Sequence, residues 1–496
     1  MTGKIKYVLT LILAMVIVDV AAQNSQVMYY MNLPQNHLLN PAMRPSNKVY
    51  IGLPALSGIN LNINNNFVNF SDVFMPGKTG DSVITFLHPD NDINDFIDKI
   101  KDKNSLEPQA TIQLFGLGFS AGKSNYIFLD INDRIEGNMV LPGDIFKLAL
   151  LGNESFVGDK MDLSSLRGDV KYYREIGLGL SRDITSKLRI GVKAKLLKGI
   201  ATASVVNRSL EIGVNNDYTH TLNADMTVNF SAPVKVYMDA DQNIDSLVFD
   251  DNRFNETSGI VDFLMGKKNT GFGIDIGATY NVTEKLIVSA AITDLGFIKW
   301  KKDLTNLNAE SQFSFSGLNM VDVANGTKTF EELGQEMMDS LKNSFKVSDS
   351  ENPFTTYLPF GLTFGGSYNL TKNFSLGVLS YSRFIGKQMK ESLTLSANVN
   401  FGNAFSTSLS YTAANHRFDN LGLGLAFRPG IFQFYILSDR IPVMWNKIKT
   451  NGATIPLPTS WNTIHLRFGM NIVFGNKVKK KDDKPMILIE ENTEVK

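Results

Sequence analysis

The chain of 496 residues contains no cysteine. This absence excludes disulfide bonds, thiol catalysis and thiolate metal sites. Acidic and basic residues are balanced at 49 each, so the chain lacks the excess of positive charge that marks a nucleic-acid-binding protein. A large exported protein without disulfides must gain its stability from another source, such as a closed hydrogen-bonded barrel.

Long apolar runs are also missing. The run near the start of the chain, Tyr7–Val18, follows Lys4 and Lys6 and precedes the small residues of Val20–Ala22. This order is typical of a secretory signal peptide, so residues 1–22 are predicted to be removed. No later stretch approaches the ~20 apolar residues of a membrane-spanning helix. The exported chain is therefore expected to be either soluble or a β-barrel.

What the sequence does contain is strict alternation of apolar and polar residues, most clearly in the stretch Ile464–Phe474. One face of such a strand carries Ile464, Leu466, Phe468, Met470, Ile472 and Phe474, and the other carries His465, Arg467 and Asn471. About ten alternating residues are what a tilted strand needs to cross the hydrocarbon layer of a membrane. The first set is therefore predicted to face lipid and the second to face the lumen.

The same alternation recurs in pairs of segments joined by short turns. The predicted pairs are 109–122 with 125–136, 169–182 with 187–212, 271–281 with 285–299, 357–370 with 373–385, 388–401 with 404–414, and 419–428 with 431–440. A first strand near 48–61 and a last strand at 463–474 bring the total to about fourteen, an even number as single-chain bacterial barrels require. The prediction is an all-β, antiparallel, up-and-down transmembrane barrel over residues 48–475. Its short turns would face the periplasm, and its long connections would be extracellular.

Three of the predicted turns resemble each other. They are Arg182–Leu188, Tyr280–Leu286 and Tyr368–Phe374, in which Asn or Asp follows the aromatic or basic residue and Thr comes two positions later. Such side chains stabilise a tight reversal by hydrogen bonding to the nearby backbone. The three segments are therefore predicted to be hairpin ends.

Other segments lie outside the predicted strands. Residues 23–47 include Pro41 and Pro45, which forbid a regular strand. The segment is expected to form either a plug, or hatch, inside the lumen or a periplasmic arm, and we favour the plug. Residues 476–496 carry a run of charges and are predicted to be a solvated periplasmic tail. In the long connections, helices are predicted over 93–100, 143–151 and 329–341 from apolar stripes and end signals.

The sequence contains no complete catalytic or metal-binding motif. Gly116 and Gly118 match a dinucleotide-binding fingerprint in letters, but a turn and another strand follow instead of a helix. The five histidines are scattered without metal-ligand spacing. The sequence therefore predicts a protein that is not an enzyme and that needs no cofactor.

The order of these features resembles the FadL/PorV-type outer-membrane barrels of the Bacteroidota, and within them an uncharacterised family. The resemblance is carried by the signal peptide, by Asn40, Pro41 and Ala42 before the first strand, by the strand count, and by strand ends such as Ile292–Trp300. It implies a fourteen-stranded barrel in the bacterial outer membrane, with an amino-terminal hatch on which Asn40, Pro41 and Ala42 lie. It assigns no ligand-binding residue.

Two functions follow from the resemblance. The first is passive uptake of a hydrophobic small molecule through the plugged lumen, which requires apolar lumen-facing residues. The second is a PorV-like role, in which extracellular loops dock or shuttle secreted proteins without a solute path. A third interpretation, a soluble secreted sandwich or solenoid, requires both faces of the strands to be buried. In the first two cases the lipid of the outer membrane is a partner, and nucleic acid is not.

Overall fold

A computed structural model describes residues 25–79, 82–216, 219–238, 244–249, 255–265, 268–315, 346–414, 417–450, 453–459 and 461–476. The predicted signal peptide, the predicted helix at 329–341 and the tail after Asn476 lie outside these residues.

Fourteen antiparallel strands form the barrel. They are β1 (Asn47–Gly52 and Ile59–Asn65), β2 (Lys103–Ala121), β3 (Asn125–Pro142), β4 (Arg167–Asp183), β5 (Leu188–Val214), β6 (Thr270–Asn281), β7 (Leu286–Trp300), β8 (Phe354–Tyr357 and Phe360–Asn369), β9 (Phe374–Ile385), β10 (Gln388–Phe401), β11 (Phe405–Ala414), β12 (Arg417–Phe427), β13 (Phe432–Ser438) and β14 (Thr463–Asn476). Each pairs with the next, and β1 pairs with β14, for example Val49 with Phe474, so the sheet closes. The predicted fold class and strand pairs are confirmed. Closure also excludes the sandwich and the solenoid.

The repeated turns owe their shape to threonine. In each of the three, the threonine hydroxyl accepts hydrogen bonds from the two backbone N–H groups that begin the return strand. The threonines are Thr185, Thr283 and Thr371, with distances of 2.9–3.2 Å. These bonds satisfy donors that a two-strand reversal would otherwise leave unpaired. The six turns that the sequence predicts and both ends of the barrel-forming chain lie at one end, called here the short-turn end. The opposite end carries the long connections and is called the long-loop end.

The barrel reverses the usual distribution of side chains. Large apolar residues point outward on every side, including Leu178 (60% exposed), Phe272 (63%), Phe364 (59%) and Leu395 (52%). Polar side chains point inward and are buried, mostly Asn, Ser, Thr and charged residues. An apolar exterior around a polar interior is the pattern of a barrel whose outer solvent is lipid.

Strand β1 is interrupted, where the sequence predicts one continuous strand near 48–61. Between the partner pairs Gly52–Asn471 and Ile59–Phe468, β1 advances seven residues and β14 only three, so four residues are extra. The extra residues form a single turn at 53–58 that remains tied to both neighbours, because Ala55 N donates to Gln113 O (3.0 Å) and Met470 N donates to Leu56 O (2.7 Å). The wall is therefore irregular at this point without being open.

At the long-loop end the sheet continues beyond the barrel. The upper half of β5 pairs with His220–Ser231 and Asp159–Asp162, and the sheet extends through Leu304–Phe315 to Lys346–Ser350. Smaller hairpins are Phe74–Pro76 with Val83–Thr85, Val234–Met238 with Ile244–Phe249, and Trp445–Thr450 with Ala453–Pro458.

Short helices also lie at this end. They are Phe70–Val73, Ile93–Ile97, Gly143–Leu151 and Thr257–Met265, with a 3-10 turn at Glu154–Phe156. The second and third match the helices predicted over 93–100 and 143–151. None of the helices in the described part of the chain has the length and apolar character to cross a bilayer.

Candidate functional site

Residues 25–46 lie inside the barrel and fill the lumen toward the short-turn end. They contain two short 3-10 helices, Gln26–Met28 and Pro34–Leu38, and no residue of the segment is classed as exposed. We call this segment the plug. Its first residues reach furthest toward the long-loop end, and its last residues lead directly into β1.

The tip of the plug is held by a carboxylate of the wall. The backbone N–H groups of Gln26 and Val27 donate to the two carboxylate oxygens of Asp439, at 3.1 and 2.9 Å. The Gln26 side chain donates to Ser392 Oγ (2.5 Å) and accepts from Thr394 Oγ1 (2.6 Å). Hydrogen bonds to a charged acceptor are about twice as strong as neutral ones, so Asp439 is the main anchor of the tip.

The middle of the plug packs against an apolar part of the wall. The cluster comprises Val27, Met28, Tyr29, Met31, Leu33 and Leu39 of the plug with Leu379, Ala426, Tyr435 and Leu437 of β9, β12 and β13. All are at most 8% exposed. Apolar burial of this kind is non-directional, so it favours contact without fixing one geometry.

The plug also touches the interruption in β1. The amides of Gln35 and Asn471 exchange hydrogen bonds at 2.7 and 3.1 Å, and Gln35 Nε2 also donates to the carbonyl of Ser57 at 3.2 Å. The hydroxyl of Tyr435 donates to the same carbonyl at 2.7 Å. The extra turn of β1 is therefore fixed from inside by one plug residue and one wall residue.

Asn40, Pro41 and Ala42, the residues of the predicted hatch motif, are seated against two glycines. Gly191 of β5 and Gly277 of β6 are direct partners across the sheet. A Cβ at Gly277 would lie 2.1 Å from Asn40 Oδ1, and one at Gly191 would lie 2.1 Å from the carbonyl carbon of Pro41. Asn40 Oδ1 also accepts from Ala42 N (2.9 Å), which fixes the turn of the motif. Because neither glycine has a side chain, the pair leaves a notch in the wall, and Asn40 and Pro41 pack into it.

A side chain in the notch is expected to displace the plug. We expect Gly277→Val to make folded protein sensitive to chymotrypsin after Tyr29 and Tyr30, which are otherwise inside the barrel. The measurement is the rate of that cleavage in detergent, read by mass spectrometry. Gly366→Val is the matched control, because a Cβ there meets nothing within 4 Å. Equal cleavage of the two variants would contradict the seat assigned to the motif.

At the short-turn end, Arg44 clamps the plug to two hairpins. Its guanidinium donates to Ser181 Oγ (2.9 Å), to the carbonyls of Ser124 (2.7 Å) and Ser181 (2.6 Å), and to the carboxylate of Asp183 (3.0 Å). A planar guanidinium satisfies several acceptors at once, which a lysine cannot do with fixed geometry. The plug is thus anchored at its tip, its middle and its base.

A charged cluster fills the lumen beside the plug. It consists of Asp130, Arg134 and Glu136 of β3, Glu175 of β4, Lys193 and Lys195 of β5, Asp275 of β6 and Asp294 of β7. The closest pairs are Arg134 with Glu136 (2.5 Å), Asp294 (2.7 Å) and Glu175 (2.8 Å), Lys195 with Asp294 (2.6 Å) and Asp275 (2.7 Å), and Lys193 with Glu175 (2.8 Å). Five carboxylates thus face three basic side chains.

The plug supplies a further partner to this cluster. Nε2 of His37 lies 2.7 Å from Asp130 Oδ2, and Nδ1 lies 2.5 Å from the carbonyl of Pro34. Both the imidazole and the carboxylate are fully buried. Plug and wall are therefore linked electrostatically as well as by packing.

A backbone irregularity places one of the carboxylates. Asp294 has a left-handed φ of 62° and lies at a β-bulge opposite Asp275, whose Oδ1 accepts from Asp294 N at 2.7 Å. Positive φ in a non-glycine residue is unfavourable by roughly 1–3 kcal/mol and persists only where surrounding contacts hold it. Here those contacts are the ion pairs to Arg134 and Lys195.

The two predicted faces of β14 differ in the exposure of their side chains. Phe468 and Phe474 are 38% and 39% exposed on the outside, and Ile464, Leu466, Met470 and Ile472 are partly exposed there. His465, Arg467 and Asn471 are buried inside at 1%, 6% and 0%.

Among the described residues, no group of three or more histidines and carboxylates is arranged to hold a metal ion.

The charged cluster itself was not predicted from the sequence. Its eight residues come from five strands and have no common spacing, although each lies on an inward face once the register is known. The alternation of Asp130, Asn132, Arg134 and Glu136 within one strand is the signal that could have found part of it.

Comparison with known proteins gives a family and several structural similarities. A protein-family model described as "Family of unknown function (DUF5723)" matches residues 41–439. No curated protein matches the sequence.

Three solved structures illustrate the similarities. The toluene transporter TbuX of Ralstonia pickettii is 10% identical, with a TM-score of 0.41, over 90% of this chain and 95% of that one. A FadL homologue of Pseudomonas aeruginosa is 9% identical, with a TM-score of 0.38, over 92% and 99%. The toluene transporter TodX of P. putida is 9% identical, with a TM-score of 0.36, over 91% and 95%. At these values no ligand or role passes from those proteins to this one.

Proposed function

We propose that this chain, which belongs to the family of unknown function DUF5723, is an outer-membrane barrel that takes up hydrophobic small molecules by displacement of its plug. The short-turn end then faces the periplasm and the long-loop end faces the cell exterior, as in other bacterial barrels. In this proposal the side chains of β14 that face lipid are Ile464, Leu466, Phe468, Met470, Ile472 and Phe474. The bacterial group and the signal peptide remain predictions.

The observation that carries this proposal is what the plug covers. An apolar patch of the wall, made of Leu379, Ala426, Tyr435 and Leu437, lies under the plug. Displacement of the plug would leave this patch open to an apolar ligand, whose binding would replace the apolar contacts that the plug gives up. A ligand with no such preference would not shift the plug, because only differential affinity moves an equilibrium.

The patch lies beside the irregular turn of β1. Tyr435 belongs to the patch and bonds directly to Ser57 in that turn, and Gln35 of the plug bonds to the same carbonyl. Movement of the plug therefore removes one of the two inner supports of the turn. An irregular part of the wall therefore lies next to the proposed ligand site.

A disulfide that locks the plug should stop uptake. Asn32 N donates to Ser406 Oγ at 3.2 Å, so this plug residue and this wall residue are in direct contact, and the native chain has no cysteine to interfere with a crosslink between them. In cells that express oxidised Asn32→Cys/Ser406→Cys, we expect the uptake of phenylnaphthylamine, an apolar dye that fluoresces in membranes, to fall to the rate of cells without the protein. Reduction with dithiothreitol should restore it.

The control disulfide joins two wall residues and leaves the plug free. Asn398 and Ser408 are cross-strand partners whose side chains are 2.7 Å apart, so Asn398→Cys/Ser408→Cys tests the effect of a crosslink alone. Uptake at the wild-type rate by cells that carry the oxidised plug crosslink would refute the proposal.

Nothing in the comparisons supports the PorV-like alternative.

A further inference from the structure

Four polar residues meet across the lumen near the long-loop end. Glu107 and Gln109 lie on β2, whereas Arg383 lies on β9 and Lys390 on β10. In a closed barrel of fourteen strands, β2 and β9 are seven strands apart in either direction and are therefore diametrically opposite. Contacts between them bridge the lumen itself.

Two contacts make this bridge. The ammonium of Lys390 forms an ion pair with the carboxylate of Glu107. The guanidinium of Arg383 contacts the side-chain amide of Gln109, whose oxygen accepts from Arg383 once the amide is oriented with its oxygen toward the arginine. Glu107 is 2% exposed and Arg383 is 8% exposed. Water therefore has little access to either contact.

The bridge lies directly beyond the tip of the plug. On β10, Ser392 is the next inward-facing residue after Lys390, and Ser392 holds the side chain of Gln26. The order along the lumen from the long-loop end is thus the bridge, then the plug tip. A molecule that enters from that end meets the bridge first.

We propose that Glu107, Gln109, Arg383 and Lys390 form an outer latch, a closure of the lumen separate from the plug. This inference rests on the proposed function, in which a solute reaches the plug from the long-loop end. Uptake then requires two events, opening of the latch and displacement of the plug.

The charges of the latch oppose its closure. Arg383 and Lys390 are register partners on adjacent strands, so two positive charges lie side by side, and of the two Lys390 forms the ion pair with the carboxylate of Glu107. Their mutual repulsion opposes closure, and both cations regain hydration when they separate from the opposite wall. Opening breaks side-chain contacts only, since no backbone hydrogen bond of the wall crosses the lumen.

A cysteine placed behind the latch reports its state. Ser392 is 3% exposed, and Ser392→Cys introduces the only thiol because the native chain has no cysteine. Labelling of this thiol by a small charged thiosulfonate added outside intact cells measures access past the latch. We expect slow labelling of Ser392→Cys alone. Labelling should become roughly tenfold faster or more when Glu107→Lys is added, because three cations then face each other in a buried site.

The matched control reverses both charges. Ser392→Cys with Glu107→Lys and Lys390→Glu retains an ion pair across the lumen and should label as slowly as Ser392→Cys alone. Glu107→Gln provides a milder variant that keeps the shape of the side chain, and heat-modifiable migration verifies that each variant is folded.

Two results would overturn the latch. One is equal labelling of Ser392→Cys with and without Glu107→Lys or Glu107→Gln in folded protein. The other is fast labelling of the charge-swapped variant. Because labelling measures access and not dye uptake, a failure of the latch is distinguishable from a failure of the plug-locking experiment.

Discussion

Phe468→Arg is expected to prevent the chain from assembling in the membrane. Phe468 is 38% exposed at the middle of β14, with Ile59 and Ile436 as its partners on the two neighbouring strands, so its side chain lies within the apolar outer surface. An arginine at the bilayer midplane of a barrel costs roughly 2–4 kcal/mol. Total stabilities of folded proteins are only about 5–15 kcal/mol, so this loss is a large fraction of the whole. The measurement is the amount of heat-modifiable protein in outer-membrane fractions.

Phe468→Leu is the control for this variant, because it changes the size of the side chain and keeps it apolar. We expect normal assembly from it. The inward neighbour, Arg467, is an arginine in the native chain, so the test distinguishes the two faces of one strand. If Phe468→Arg assembles as well as Phe468→Leu, the faces of β14 have been assigned the wrong way round.

The barrel could be predicted because its signals are local. Alternation with a period of two identifies each strand and its outward face, and the threonines at positions 185, 283 and 371 mark the turns within a few residues. Strand bounds in the structure differ from the predicted ones by a few residues at most ends. The helix at Gly143–Leu151 was predicted at its observed bounds from Pro142 and Gly152.

The interruption in β1 was missed although a signal for it was present. Pro54 lies in the middle of the predicted strand and cannot donate to the ladder, and Ser57 and Gly58 follow it. Proline within a run of strand residues indicates an edge or a bulge, and here it belongs to the four-residue insertion. The sequence therefore indicates an irregular strand, but it does not indicate that the irregular turn lies beside the plug.

The contents of the lumen could not be predicted from local patterns. The partners in Gln35–Asn471, Glu107–Lys390 and His37–Asp130 are separated by 436, 283 and 93 residues. Which inward side chains meet depends on closure of the barrel and on the register of every strand between them. The sequence indicates the plug motif, whereas its seat on Gly191 and Gly277 depends on how the plug packs inside the closed barrel.

Removal of one cation from the buried cluster is expected to have an effect as large as that of the lipid-facing arginine. Lys195 Nζ contacts Asp294, Asp275 and Glu175 at 2.6, 2.7 and 3.6 Å and is almost fully buried. Lys195→Met would leave Asp275 without an ion-pair partner, and removal of one partner from a buried pair costs about 3–5 kcal/mol. We expect a lower temperature for the loss of compact, heat-modifiable migration in detergent.

The double variant Lys195→Met/Asp275→Asn tests whether the loss comes from the unpaired charge. It removes both charges of the ion pair and keeps an amide oxygen that can accept from Asp294 N, so it should regain most of the stability lost in Lys195→Met. Lys187→Met, at an exposed turn position, controls for loss of a lysine and should change stability by no more than about 0.5 kcal/mol. If Lys195→Met behaves like Lys187→Met, the ion pairs of Lys195 do not stabilise the barrel. If the double variant is weaker than Lys195→Met, the coupling between Lys195 and Asp275 has the wrong sign.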